Sequence, residues 1–153
     1  MKKIIIRTAT SEDVPAILEI IKLGFTRYAV LANATAASPA LSETAEDVLC
    51  DLKEKLVLLA VSGDDVVGTL RISTLNDVAY VSRFAVKTEG CGIGTDLLNA
   101  AALHAQNAGL SLLTLHTAAS AKSTISFYEK LGFSTLSEDM SRGYRRLYMG
   151  KQI

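Results

Sequence analysis

The sequence predicts an α/β fold in which a largely antiparallel sheet is flanked by helices. Three observations carry that reading. Segments with strand and helix periodicity follow one another in the order β-α-α-β-β-β-α-β-α-β-β. Three of the strands are separated only by short turns, as in an antiparallel meander. A glycine-rich loop within "EGCGIGTDLL" (89–98) then joins the last of them to a helix.

Taken in order, "KIIIRTAT" reads as a strand. "SEDVPAILEIIKLGF" reads as a helix capped by Ser11, with Ile17, Ile20, Ile21 and Phe25 on one face. Thr26 to Leu41 lacks clear periodicity and contains Pro39, so it is expected to be an irregular substrate loop. "SETAEDVLCDLKEK" resumes a capped amphipathic helix. The meander "KLVLLAVS", "VVGTLRIST" and "VAYVSRFAV" turns at "GDD" and "LND". A helix over "TDLLNAAALHAQNAG" stops at Gly109, "LSLLTLHT" is a strand, and "STISFYEKLG" is a helix closed by Gly132. Two strands end the order, the last being "YRRLYMG".

A chain of 153 residues suits one domain spanning 1–153, with roughly 70% of the unfolded chain's surface buried. Sixteen basic residues balance sixteen acidic ones, so no global field collects nucleic acid or an anionic membrane. A small-molecule partner is expected. Cys50 and Cys91 form neither a disulfide framework nor a metal-ligand pair. The apolar run of "MKKIIIRTAT" is too short for a signal peptide, and no later run reaches spanning length, which points to a cytoplasmic protein.

A strand, a glycine loop and a helix together make an anion cradle, because the first helical amides are unpaired and lie at the positive end of the helix dipole. The loop is not of the Walker type, which needs G-x-x-x-x-G-K-[ST]. Gly90, Gly92 and Gly94 give G-x-G-x-G, and the strands before them are hairpin-joined, so a dinucleotide fingerprint is also a poor match. On spacing alone, a glycine turn that packs a helix close to a strand stays open.

"VSRFAVKTEGCGIGTDLL" (81–98) resembles the acyl-CoA binding signature of the GNAT N-acetyltransferase superfamily, written [QR]-x-x-G-x-[GA] after a strand ending in an apolar pair and valine. "SAKSTISFYEKLGF" (120–133) is similar to the second family signature and follows the next strand, as the family order requires. The resemblance covers nearly the whole chain. It implies a single domain with a mixed, mostly antiparallel sheet, acetyl-CoA as acyl-donor cosubstrate, no metal, and transfer of acetyl to a primary amine. The acceptor would be a small amine or peptide. The alternative is a non-catalytic acyl-CoA sensor or binding module of the same fold. Partners are expected to include neither nucleic acid nor membrane, and the family allows a homodimer.

Carried over by position, the resemblance implies that Phe84, Ala85 and Val86 offer backbone pairing to the pantetheine arm. Gly90, Cys91, Gly92, Ile93, Gly94 and Thr95 would bind the pyrophosphate through amides. Tyr128 matches the family tyrosine assigned as general acid to the departing thiolate, with an ordinary core tyrosine as its alternative. Phe127, Leu131 and Phe133 are expected in the core. The chain departs from the pattern at Glu89, where the motif has Gln or Arg, at Ala121, where Asn is common, and at Tyr80, where some members carry a catalytic glutamate.

His116 matches a position where some members place a basic glutamate, and an imidazole accepts protons near neutral pH. A hydrogen-bonded strand-end histidine is the competing reading. Tyr28, Tyr80 and Arg83 are candidates for the acceptor pocket. Glu89 is expected to offer its backbone while its side chain points to solvent, towards Lys87. Cys91 has no adjacent histidine in sequence, and His104 is expected at the surface.

Overall fold

The computed structural model describes residues 3–32 and 39–153. In chain order the elements are β1 (Ile4–Thr8), α1 (Val14–Leu31), α2 (Ala45–Glu54), β2 (Leu56–Ser62), β3 (Asp65–Leu75), β4 (Val78–Val86), α3 (Ile93–Asn107), β5 (Leu112–Ala118), α4 (Lys122–Lys130), β6 (Ser134–Asp139) and β7 (Arg146–Gln152). Short 3-10 turns occupy Ser11–Asp13 and Pro39–Ser42. The strands form one sheet in the order β1-β2-β3-β4-β5-β7-β6. Every neighbouring pair is antiparallel except β4 and β5. The sheet is therefore mixed, mostly antiparallel and flanked by helices.

Local chemistry accounts for the helix ends. Thr44 and Asp47 cap α2 reciprocally: the Thr44 N–H donates to Asp47 Oδ2 (2.9 Å), and the Asp47 N–H donates to Thr44 Oγ1 (3.3 Å). At the first helix Ser11 is not the cap. Thr10 precedes the 3-10 turn, and its N–H donates to Asp13 Oδ2 at 2.8 Å. Arg7 holds the same carboxylate with two bonds of 2.8 and 2.9 Å.

α1 also runs six residues beyond the expected Phe25. Ile21, Phe25, Tyr28 and Ala32 continue one helical face through a stretch expected to be irregular. Tyr28 is thus a helix residue. Of the expected loop, residues 33–38 lie outside the described residues.

Two cores sandwich the sheet. Ile93, Leu97, Leu98, Ala101 and Ala105 of α3, with Tyr128 of α4, pack on Leu58, Leu70, Ile72 and Leu113. Val14, Ile17, Ile20 and Ile21 of α1, with Val48 of α2, pack on Val57, Leu59 and Ala85 on the other face. Each fully buried Val, Leu or Ile among them contributes about 1.5–3 kcal/mol.

The strict alternation of β4 breaks once. Thr69 pairs with Ala85 but Arg71 pairs with Ser82, so Arg83 and Phe84 both stand opposite Leu70. Arg83 takes the left-handed backbone conformation, with φ +50°. One extra residue swaps the faces beyond it. Ala79 and Val81 point under α3 and α4 before the bulge, whereas Phe84 and Val86 do so after it and Ala85 turns to α1. At that crossing a Cβ on Gly24 would stand 2.6 Å from the Ala85 Cβ, so glycine is what lets α1 lie on the bulged strand.

Candidate active site

β4 and β5 pair only at Ala79–Leu113 and Tyr80–Thr114 and then part. A cleft of about 750 Å³ opens along the divergence, lined by both strands, α1, the start of α3, α4 and the segment before β7. Because the Lys87 N–H donates to the Val67 carbonyl (2.7 Å), Ala85 and the Lys87 N–H face β3, and Phe84 and Val86 direct their backbone groups to the opened side. Arg27 of α1 takes part of that edge, donating to the carbonyls of Val86 (3.2 Å) and Lys87 (2.6 Å). Phe84 and the Val86 N–H remain, and Ala85 contributes by letting α1 approach.

At the mouth, Gly90 and Gly92 have φ of +78° and +79°, a conformation in which an L side chain is strained. Gly92 caps α3, and the first helical bond runs from the Asp96 N–H to its carbonyl (3.1 Å). The amides of Ile93, Gly94 and Thr95 therefore have no acceptor within the helix. Gly94 fits closely: a Cβ there would lie 3.2 Å from ring atoms of both Phe84 and Phe127, so each ring would have to give by a few tenths of an ångström. Cys91 is exposed, and its Sγ lies 3.7 Å from the Glu89 carbonyl oxygen.

Glu89 is 71% exposed, as expected, but its partner is not Lys87. Glu89 Oε1 lies 3.9 Å from Arg27 Nη1, while Lys87 reaches Asp65 at 3.9 Å. The cause is long-range: the two strand-end carbonyls hold Arg27 beside the loop, and Lys87 extends towards the β2–β3 hairpin.

Tyr128 forms part of one wall. Its ring centroid lies 5.5 Å from Phe127, 5.6 Å from Phe133 and 6.4 Å from Phe84. Its hydroxyl has no hydrogen-bond partner among the described residues, and burial pushes the phenol well above its ordinary value near 10. Such a group is protonated at neutral pH and has its O–H free to donate. Phe133 is buried, whereas Phe127 and Leu131 are half-buried at the core margin and Phe127 also lines the cleft. Ala121 starts α4 without a side-chain cap and packs against Ala32 and Ala118, where small residues fit.

A polar chain lines the other wall. The Tyr80 hydroxyl lies 2.7 Å from His116 Nδ1, and His116 Nε2 lies 3.4 Å from Asp139 Oδ2. Arg146 donates to both Asp139 oxygens, at 3.2 and 3.3 Å, and holds that carboxyl down to about 2. An ionised carboxylate only accepts, so the imidazole proton sits on Nε2 and Nδ1 accepts from Tyr80. Burial, followed by the charge of Arg146, lowers the His116 pKa below 6.5, leaving a neutral imidazole at neutral pH. Burial likewise raises the Tyr80 phenol. His104 is exposed, as expected.

Tyr28 and Tyr144 share a hydroxyl–hydroxyl contact of 2.9 Å, and burial pushes the Tyr28 phenol far up. Arg83 Nε donates to Glu43 Oε2 at 2.9 Å. Behind it Arg71, 0% exposed, donates to both Glu43 oxygens (2.5 and 2.8 Å) and to Asp51 (2.8 Å). The structure thus brings Tyr28, Tyr80, Arg83, Phe84, His116, Tyr128 and the glycine loop to one cleft.

Sequence reasoning missed Arg27, Asp139, Tyr144, Arg146 and the Arg71–Glu43 pair. Two signals were present: a single charge inside the apolar run "VVGTLRIST", and the basic, aromatic run "SRGYRR" between two strands.

A model described as the acetyltransferase (GNAT) family matches residues 19–133 of the 153. The chain belongs to the GNAT acetyltransferase family. Solved structures of similar fold include PaiA N-acetyltransferase from Thermoplasma acidophilum in complex with coenzyme A (TM-score 0.86, 21% identity, 99% of each chain covered). Ribosomal-protein-alanine N-acetyltransferase from Brucella melitensis matches with a TM-score of 0.77 and 22% identity, over 97% of this chain and 99% of that one. IAA acetyltransferase from Bacillus cereus matches at 0.74 and 20%, over 99% and 100%. No curated protein sequence matches the chain. Among the described residues, no helix is long and apolar enough to cross a membrane, and no group of His, Cys, Asp and Glu is suited to a metal ion.

Proposed function

We propose that this GNAT family chain is a single N-acetyltransferase domain that moves an acetyl group from acetyl-CoA to a primary amine. The observation that carries the reading is the pairing of opposite proton habits across one cleft. Tyr128 holds a proton with no partner, and Tyr80 is bonded to a neutral imidazole. The residues fit the donor: amides of Ile93, Gly94 and Thr95 suit a pyrophosphate, and the open edge at Phe84 and Val86 suits an extended amide-bearing arm.

The thioester supplies an activated acyl carbon. The neutral amine attacks it, a C–N bond forms, and the C–S bond breaks. Tyr80 accepts the amine proton while passing its own to His116 Nδ1, and Asp139 stabilises the resulting imidazolium. Tyr128 donates its proton to the departing sulfur, and exchange with solvent restores both groups. The products are the amide and free thiol. Acetyl-CoA-dependent thiol release across an amine panel tests the proposal. A coenzyme-induced thermal shift without release would favour a binding module instead.

His116→Gln retains polarity but cannot titrate. The acidic limb of the kcat/KM profile, expected below about pH 6.5 given the lowered pKa, should vanish or move. An identical profile in the variant would return the role of base to Tyr80 and water.

Glu89→Gln should tighten acetyl-CoA binding modestly and leave turnover nearly intact. It removes an exposed negative charge and frees Arg27 for a phosphate, and the gain should shrink as salt rises. A large loss of affinity would mean that the carboxylate makes a required contact.

A further inference from the structure

We infer that the acceptor amine carries an oxyanion, a carboxylate or a phosphate, within a few bonds of its nitrogen, seated by the arginines around Tyr80 and His116. The inference rests on the acyl-transfer reading above and deepens it by naming the acceptor class. Its basis is a positive charge in the cleft that the protein does not neutralise. Arg83, Arg142, Arg146 and Lys55 all line the cleft with Tyr80 and His116.

The nearby carboxylates are already engaged, including Asp47, whose charge also acts on Arg83 and whose Oδ2 accepts from the Thr44 N–H at the α2 cap. Both Glu43 oxygens are taken by Arg71 and Arg83, Asp51 Oδ2 by Arg71 and Lys55, and both Asp139 oxygens by Arg146. Of these cations, Arg83 and Arg142 keep their whole terminal forks unengaged among the described residues. Arg83 uses only Nε, and among the described residues its two terminal nitrogens have no partner. Arg142 has no hydrogen bond or ion pair among the described residues. Residues 33–38, Asn-Ala-Thr-Ala-Ala-Ser, contain no carboxylate that could neutralise either one.

A guanidinium presents a planar fork that matches the two oxygens of a carboxylate or phosphate. The free terminal edge of Arg83 is such a fork. Its Nε bond to a Glu43 that is 3% exposed, and itself held by Arg71, keeps the group in place. Ser82 Oγ, buried and unpartnered among the described residues, lies between Tyr80 and Arg83 in the strand. Arg146 reaches His116 through Asp139, and the charges of Arg142 and Arg146 both act on Tyr80 and His116, at the proton-accepting end of the cleft. A polyammonium acceptor would be repelled there.

The test measures thiol release for matched acceptors: alanine against ethylamine, phosphoethanolamine against ethanolamine, and spermidine. The expected result is a kcat/KM about tenfold or more higher for at least one oxyanion-bearing member than for its neutral match and for spermidine. The two pairs distinguish carboxylate from phosphate. Arg142→Ala should raise KM for the preferred acceptor and reduce the ratio within its pair, with KM for acetyl-CoA unchanged, and Arg142→Lys should restore part of the ratio. Neutral amines or spermidine used equally well or better would overturn the inference, as would an acetyl-CoA KM that rises in step.

If no amine releases thiol, the acyl-transfer reading fails by itself. Titration of the CoA-saturated protein with N-acetylalanine, N-acetylphosphoethanolamine and N-ethylacetamide then decides the oxyanion seat. Tighter binding of either anion, weakened in Arg142→Ala, supports the seat. Equal binding of all three removes it.

Discussion

Replacing Tyr128 with Phe is expected to lower turnover by about 10² to 10⁴-fold with little change in acetyl-CoA affinity. The ring contacts with Phe127 and Phe133 survive the substitution, and only the oxygen is lost. Because that hydroxyl has no partner among the described residues, its removal leaves no orphaned donor or acceptor there, so the melting temperature should barely move. Single-turnover measurement isolates the chemical step. An unchanged single-turnover rate would remove Tyr128 from the mechanism and make it a core residue that borders the cleft.

Glu43→Gln is expected to destabilise the fold by about 3–5 kcal/mol, because it leaves the guanidinium of Arg71, 0% exposed, without its principal counter-charge. Against a total stability of about 5–15 kcal/mol this is a large loss, readable as a lower denaturant midpoint. Asp51 still contacts Arg71, which places the effect at the lower end of that range. Replacing Glu43 and Arg71 together with Leu and Met should recover part of the loss, since both desolvation costs then disappear.

The pH dependence follows from the same contacts. Burial pushes the Glu43 carboxyl up, but hydrogen bonds from Arg71 and Arg83 outweigh it and hold the folded value below 4.5. A depressed folded pKa means stability that is fully present above the unfolded value and lost as pH falls through the folded one. The gap between wild type and Glu43→Gln should therefore narrow in acid. A gap that stays constant down to about pH 3 would show that Glu43 is not the titrating partner.

Much of this protein was legible before its fold. The order of strands and helices, the short turns and the glycine loop are local properties, written in periodicity and in residues that tolerate unusual backbone angles. "LND" turned the chain because Asn76 and Asp77 accept positive φ, at +52° and +64°. The end of α1 lies six residues beyond the expected Phe25, because its apolar face continues through Phe25 and Tyr28. Gly24, which weakens a helix pattern, sits there to admit Ala85, a contact that only the sheet supplies.

The sequence by itself determined the order of elements and, through the resemblance of 81–98 and 120–133 to the family signatures, where acyl-CoA chemistry is to be sought. Tertiary structure alone decided how they meet. The bulge at Arg83 turned Phe84 towards α4 and Ala85 towards α1, and divergence of β4 from β5 beyond Tyr80 opened the cleft. His116 gained its tautomer from Asp139, and Glu89 found Arg27 across 62 positions of chain. Periodicity reports which face a residue occupies within its own element. Partners brought together by crossing strands and helices depend on register and twist, which no local pattern encodes.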